Sequence, residues 1–218
     1  MTTIENNKGS PEMRRSPSAL EVRFHFVDGS KETFVQADAG AAEAVRDQIN
    51  LANLFHQPRI VVADDYSKSV FVCAQINRID LVFDSPSFSR IPPDHAELVE
   101  LTEAEFRWRV PVNDQTLLQR RERRLQVGDL LVSFLHLRMR GGSHVYLMNE
   151  IVVKLPAESQ SFMQRLLSKE AYSIRLREGG QGVLNLQNLI GYTVYPGVPE
   201  VPADSWMAQP KAIYEISQ

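Results

Sequence analysis

One short order of strands, turns and a helix occurs twice in this chain, and that repetition constrains its folding more than any other feature. In Val22-Arg23-Phe24-His25-Phe26 apolar and polar residues alternate, as a strand with one buried face requires. Asp28-Gly29 follows, a dipeptide that tolerates the positive φ of a tight hairpin turn, and Lys31–Gln36 is the return strand. From Asp38 the period lengthens. Ala41, Val45, Ile49, Ala52 and Phe55 recur at three- and four-residue steps, one face of a helix with Asp38 as its N-cap and Pro58 as its stop. Strands are then expected at Arg59–Ala63 and from Val70 to about Ile76, with a short fifth at Ile79–Phe83.

The second pass runs through Leu130–Met139, a turn at Arg140-Gly141-Gly142-Ser143, and a return strand at His144–Leu155. A short helix at Pro156–Ser168 points Phe162 and Leu166 inward. Strands at Tyr172–Arg177, Val183–Asn188 and Ile190–Tyr195 complete it. Aligning the two passes places Phe24 with Phe134, Asn77 with Asn188, Ile79 with Ile190, Val45 with Phe162 and Ile49 with Leu166. The expected fold class is therefore α+β. Two tandem ββαββ-type units, small and mostly antiparallel sheets each carrying one helix, are joined by a linker with a short helix.

In domain terms, residues 1–19 read as a disordered tail, 20–84 as the first unit, 85–128 as the linker, 129–195 as the second unit and 196–218 as an extended tail. Within the linker, Asp84–Pro93 reads as a loop and Glu105–Val110 as a short strand. A helix capped by Asn113 or Asp114 is expected to run to about Gln126. Beyond Tyr195, prolines at 196, 199 and 202 keep the chain extended, and Trp206 to Ile216 are placed as a strap on the surface. Half-covered units of this kind hide their apolar sides against each other, and the cleft between them is where a ligand is expected.

Charge is distributed unevenly. The net value is -3 over 218 residues, yet Asp84–Glu105 holds six acids against Arg90 alone, and Phe106–Arg124 holds six arginines against Asp114 and Glu122. Blocks of opposite sign this close can pair within the molecule. With 43% hydrophobic residues the chain is not a disordered one. A lone cysteine, Cys73, cannot make an internal disulfide, the first residues contain no apolar signal core, and no window approaches a membrane span. A cytoplasmic protein is expected, without membrane partners.

The feature closest to a ligand site is Arg120-Arg121-Glu122-Arg123-Arg124, because guanidinium groups present planar, paired donors to phosphates. The Arg120-x-x-x-Arg124 spacing, just ahead of a strand, resembles the first motif of PilZ domains, and that resemblance implies cyclic di-GMP as ligand. The family's second motif, Asp/Asn-x-Ser-x-x-Gly, is not found in Val127–Leu167, so the likeness covers five residues and is not taken as membership. The five histidines show no ligand spacing, although His25 and His136 fall near equivalent places in the two first strands. Gly179-Gly180-Gln181-Gly182 sits between strands as a turn, and Cys73, alternating with Phe71, reads as a buried small hydrophobe. Phe106-Arg107-Trp108-Arg109 has the look of an RNA-binding strand over too few residues, and the net acidity argues against nucleic acid.

With no catalytic, metal or cofactor constellation in the sequence, the expectation is a non-catalytic intracellular binding or scaffold protein. Its partner would be another protein or a second copy of itself. The alternative is a regulator that binds an anionic ligand, nucleotide or nucleic acid through Arg120, Arg121, Arg123 and Arg124.

Overall fold

Strands from both halves of the chain share one mixed sheet. The computed structural model describes residues 20–49, 53–83, 98–110, 126–152, 166, 168–195 and 206. In chain order the elements are β1 (Leu20–Phe26), β2 (Lys31–Gln36), α1 (Ala39–Gln48), β3 (Arg59–Ala63), β4 (Lys68–Val72), β5 (Ile76–Phe83), β6 (Leu98–Leu101) and α2 (Glu103–Arg109). They continue with β7 (Leu130–Met139), β8 (His144–Val152), β9 (Ala171–Arg175), β10 (Gln181–Asn185) and β11 (Leu189–Tyr195). Nine strands are ordered β11-β7-β8-β6-β9-β10-β5-β1-β2, while β3 and β4 form a separate hairpin. Neighbours in the large sheet are antiparallel except β6 and β9, which meet in parallel at Val99 and Arg175.

This arrangement overturns the expected pair of ββαββ units. The reason lies in β9 and β10, which are buried on both faces where β3 and β4 alternate between exposed and covered positions. Tyr172, Ile174 and Leu184 pack into the core of the second half beside Leu135, Leu137 and Leu147. Ala171 and Val183, on the opposite face, pack into the core of the first half beside Phe24, Ile79 and Leu81. A strand with an apolar residue on each face needs cover from both sides. Pairing β10 to β5 supplies it and fuses what would have been two sheets.

What recurs is local connectivity, and its register differs from the one expected. Each half has a hairpin, a second hairpin, one turn of 3₁₀ helix (Cys73–Gln75 and Leu186–Asn188) and a return strand to the first. The hairpin turns have the same length and closing bond, Phe26 N–H to Ser30 O at 3.0 Å and Met139 N–H to Ser143 O at 2.8 Å. Each return strand carries a bulge, at Asn77 and at Ile190. These landmarks lie 113 residues apart, as Phe26 does from Met139. Phe24 therefore corresponds to Leu137 rather than Phe134, Asn77 to Ile190, and Ile79 to Tyr192. His25 stands where Arg138 does, and Arg23 where His136 does, so the two histidines are not equivalent.

Two other expectations change. Glu105–Val110 is not a strand. Thr102 caps α2 in a reciprocal box with Glu105, and Glu103 pairs with Arg107 one turn on, which outweighs the alternation of Phe106, Trp108 and Val110. Phe106 and Val110 instead bury with Leu101 and Phe134 in a third, smaller core. The segment expected as linker also gives a strand to the sheet, since β6 fills the space between β8 and β9. Asp38 does cap α1, accepting from Ala41 N–H at 2.7 Å. Of the segment from Trp206 to Ile216, expected as a surface strap, only Trp206 is described, and it is 98% exposed. The remaining terminal segments, the expected helix near 113–126 and most of the one at 156–168 lie outside the described residues.

The tips of the two first hairpins touch. Gly141 has φ of +77°, and a Cβ placed there would overlap the carbonyl oxygen of Val27. Gly142, at φ of +84°, has open space around it. Gly141→Ala is expected to cost at least about 3 kcal/mol in chemical denaturation, combining a left-handed conformation with a backbone clash. Gly142→Ala should cost only about 1 kcal/mol, from conformation alone.

Candidate functional site

Where the halves meet, a polar cleft of about 370 Å³ opens beside the joint. It is lined by residues of β1 and β5, by Lys31 of β2, by Glu100 of β6, by the tip of the β7–β8 hairpin and by Glu178 of the β9–β10 turn. Its chemistry follows from strand register. Antiparallel pairing of β1 with β5 sets Arg23 opposite Asp80 and His25 opposite Arg78, which gathers four ionisable groups on one face while Phe24, Ile79 and Leu81 face the core.

These groups engage one another. His25 Nε2 lies 2.7 Å from an Asp80 oxygen. Arg78 donates from Nε to the other Asp80 oxygen and from a terminal nitrogen to Glu100. Arg23 donates to Glu21 at 2.6 Å and through both terminal nitrogens to Glu178. Asp80 is almost wholly buried. Burial alone would push its carboxyl up, but the His25 hydrogen bond and the Arg78 guanidinium together outweigh that and hold it below the usual carboxylate range. Arg78 is likewise desolvated, yet Asp80 and Glu100 keep it firmly charged. The network leaves the first half twice, through Arg23 to Glu178 of the second half and through Arg78 to Glu100 of β6.

Buried amides add to the joint. Asn185 donates to the carbonyl of Ile76 at 2.9 Å, and Asn188 donates to the same oxygen at 3.0 Å, so the 3₁₀ turn of the second half clamps that of the first. Asn77, at the bulge, donates to Arg140 O at 2.8 Å and to Ser143 Oγ at 3.1 Å. Its own Oδ1 is buried at the cleft without a hydrogen-bond partner among the described residues.

Close to the cleft, His136 and His144 share a hydrogen bond of 2.9 Å, and the His136 ring stacks on Tyr146 at 4.7 Å. Burial, then the neighbouring His144 and Arg138, hold His136 below its ordinary value. Among the described residues no three histidine, cysteine or acidic side chains are grouped to hold a metal ion. Cys73 lies in the 3₁₀ turn rather than in a strand. It is buried, and desolvation pushes its thiol up, away from a reactive thiolate.

Arg120, Arg121, Arg123 and Arg124 lie outside the described residues, as does the PilZ-like spacing they form. From the acidic block, Glu100 engages Arg78, Glu105 engages Arg177 and Glu103 engages Arg107. Only the last of these arginines belongs to the basic block. The sequence reading missed the Arg23–His25–Arg78–Asp80 cluster. Its signal was the polar side of two alternating segments, Arg23 and His25 against Arg78 and Asp80, whose opposite charges fit strands that pair.

No family model matches the chain, and no curated protein or solved structure matches it. No helix among the described residues is long and apolar enough to cross a membrane.

Removing one partner from a buried ion pair strands the other. Arg78→Met is expected to cost about 3 kcal/mol or more, because Asp80 would keep only His25. The acid side of the stability profile tests Asp80 directly. Its folded pKa lies below the unfolded one, so its contribution is complete above the ordinary carboxylate range and is lost as pH falls below that range through the lowered pKa. Asp80→Asn should flatten this acid limb in urea midpoints measured from about pH 7 to about pH 2.

Proposed function

We propose that the protein is a non-catalytic binding scaffold that takes up extended protein segments along its open sheet edges. The observation that carries this reading is how the cleft's charges are used. Arg23 is paired with Glu178, and Arg78 with Asp80 and Glu100, while His25 hydrogen-bonds Asp80 and Lys31 completes the charged lining; these contacts fasten the two sides of the joint. General acid–base or nucleophilic catalysis calls for a group poised near neutrality and aimed at a substrate, whereas here the carboxylate is stabilised as an anion and the guanidinium as a cation.

Binding capacity lies elsewhere, in backbone edges that carry outward-facing apolar side chains. Strand addition suits such edges, since the main chain supplies hydrogen bonds and alternate side chains supply selectivity. A reducing compartment suits a protein with a single unpaired thiol, and we place it in the cytoplasm.

The competing reading is an anionic ligand held by Arg120, Arg121, Arg123 and Arg124. Calorimetric titration of the full chain with mono- and cyclic dinucleotides and short DNA and RNA, at about 50 and about 200 mM salt, separates the two. No binding is expected. Salt-sensitive binding that disappears in an Arg120→Ala/Arg124→Ala variant would overturn the scaffold reading in favour of the anionic ligand.

A further inference from the structure

We infer that copies of this chain join head to tail, the outer edge of β4 in one copy adding antiparallel to the outer edge of β11 in the next. The inference deepens the scaffold reading and rests on it, by naming the partner as a second copy.

The joint is already built once inside the molecule. β10 pairs with β5 through Gln181 with Leu81, Gly182 with Asp80, Val183 with Ile79 and Leu184 with Arg78. By the register that relates the halves, β10 corresponds to β4 and β5 to β11. Each half thus has both a donor edge and an acceptor edge. Among the described residues, only the donor of the second half and the acceptor of the first are used. Among the described residues, the donor β4 pairs only with β3, and the acceptor β11 only with β7.

Transferring the internal register to the free edges sets Lys68 opposite Val194, Ser69 opposite Thr193, Val70 opposite Tyr192 and Phe71 opposite Gly191 of the next copy. No like charges meet. The central pair is the telling one. Val183 and Ile79, which meet in the internal joint, are 0% and 3% exposed, whereas Val70 and Tyr192 are 47% and 41% exposed. Beside them, Val72 and Ile190 stand where the second half has Asn185 and the first has Asn77, both buried in the internal joint. The face of the β3–β4 hairpin that shows Val61, Val70 and Val72 is the counterpart of the β9–β10 face that completes the first core.

The edges also differ in how they are guarded. Free edges in monomers are usually blunted by charge, proline or a covering element. β2, at the other end of the sheet, carries Lys31 and Glu32 and has α1 beside it. β11 reads Leu-Ile-Gly-Tyr-Thr-Val-Tyr, without a charge or a proline. A contact between two different edges is heterologous, so its repetition gives a ring if the rotation closes and an open chain if it does not.

Sedimentation velocity and light scattering on the full chain, from about 1 to about 200 μM, test the inference. The mass is expected to climb from 24.7 kDa to multiples of that value. Val70→Glu and Tyr192→Lys, both at exposed sites, should each raise the concentration for half-assembly at least about tenfold, with unchanged circular dichroism. An equimolar mixture of the two variants should restore assembly. The introduced glutamate then meets the introduced lysine at one joint, and the native pair of Val70 and Tyr192 forms at the next. A wild-type mass fixed at 24.7 kDa, or assembly unmoved by both variants, would overturn it. Hydrogen exchange at the outward amides of β4 and β11 then says how much falls. A monomer whose two edges exchange freely rejects self-pairing alone, and a monomer whose two edges are protected rejects the scaffold reading as well.

Discussion

The rest of the structure depends on the pairing of β10 with β5. Four residue pairs hold it, and they do more than extend a ladder. β10 is the boundary wall of both main cores, offering Leu184 to one and Val183 to the other. Removing the strand would open both cores to water, a loss of the order of several buried aliphatic side chains at about 1.5–3 kcal/mol each. The two halves are therefore one cooperative body in energetic terms, although their connectivity repeats.

Polar interactions specify where that wall sits. A purely apolar strand could slip along its partner, and a two-residue slip would keep the same faces inward. Slippage here would pull Asn185 and Asn188 from the Ile76 carbonyl and separate Arg23 from Glu178. Each buried donor left without an acceptor costs about 1–3 kcal/mol, so alternative registers are penalised several times over. The buried ions serve the same end. Their pairing roughly offsets their desolvation, and what they contribute is alignment.

The local elements were legible in the sequence where a single physical signal dominated. Alternation in Val22–Phe26 marked a strand, Leu130–Met139 read as another, and Asp28-Gly29 and Arg140–Ser143 marked their turns. Asp38 marked the start of α1. The fold class was not legible, because strand-to-strand partnership between the halves leaves no periodic trace. A hint existed in Val183-Leu184, adjacent apolar residues where β4 alternates, which marks burial on both faces. At Glu103–Arg109 two signals conflicted, and the capping box at Thr102 and Glu105 prevailed over alternation. The cleft was anticipated only as a place between halves. Its residues come from six segments, and only the pairing register of β1 with β5 brings the four central ones together. The relation between His25 and His136 was misread because identity of residue type is a weaker guide than the positions of bulges and turns.

The insertion of β6 between β8 and β9 sets an order of events during synthesis. β6 leaves the ribosome long before either flanking strand exists, and β5 likewise waits for β10, made about 100 residues after it. A nascent chain that ends anywhere before Asn185 shows an unclosed first core and an unaccompanied ladder edge. Such intermediates are prone to misassociate. Ribosome stalling or truncation before Asn185 should therefore favour aggregation over a soluble half-protein, and emergence of β10 is the step that commits the fold.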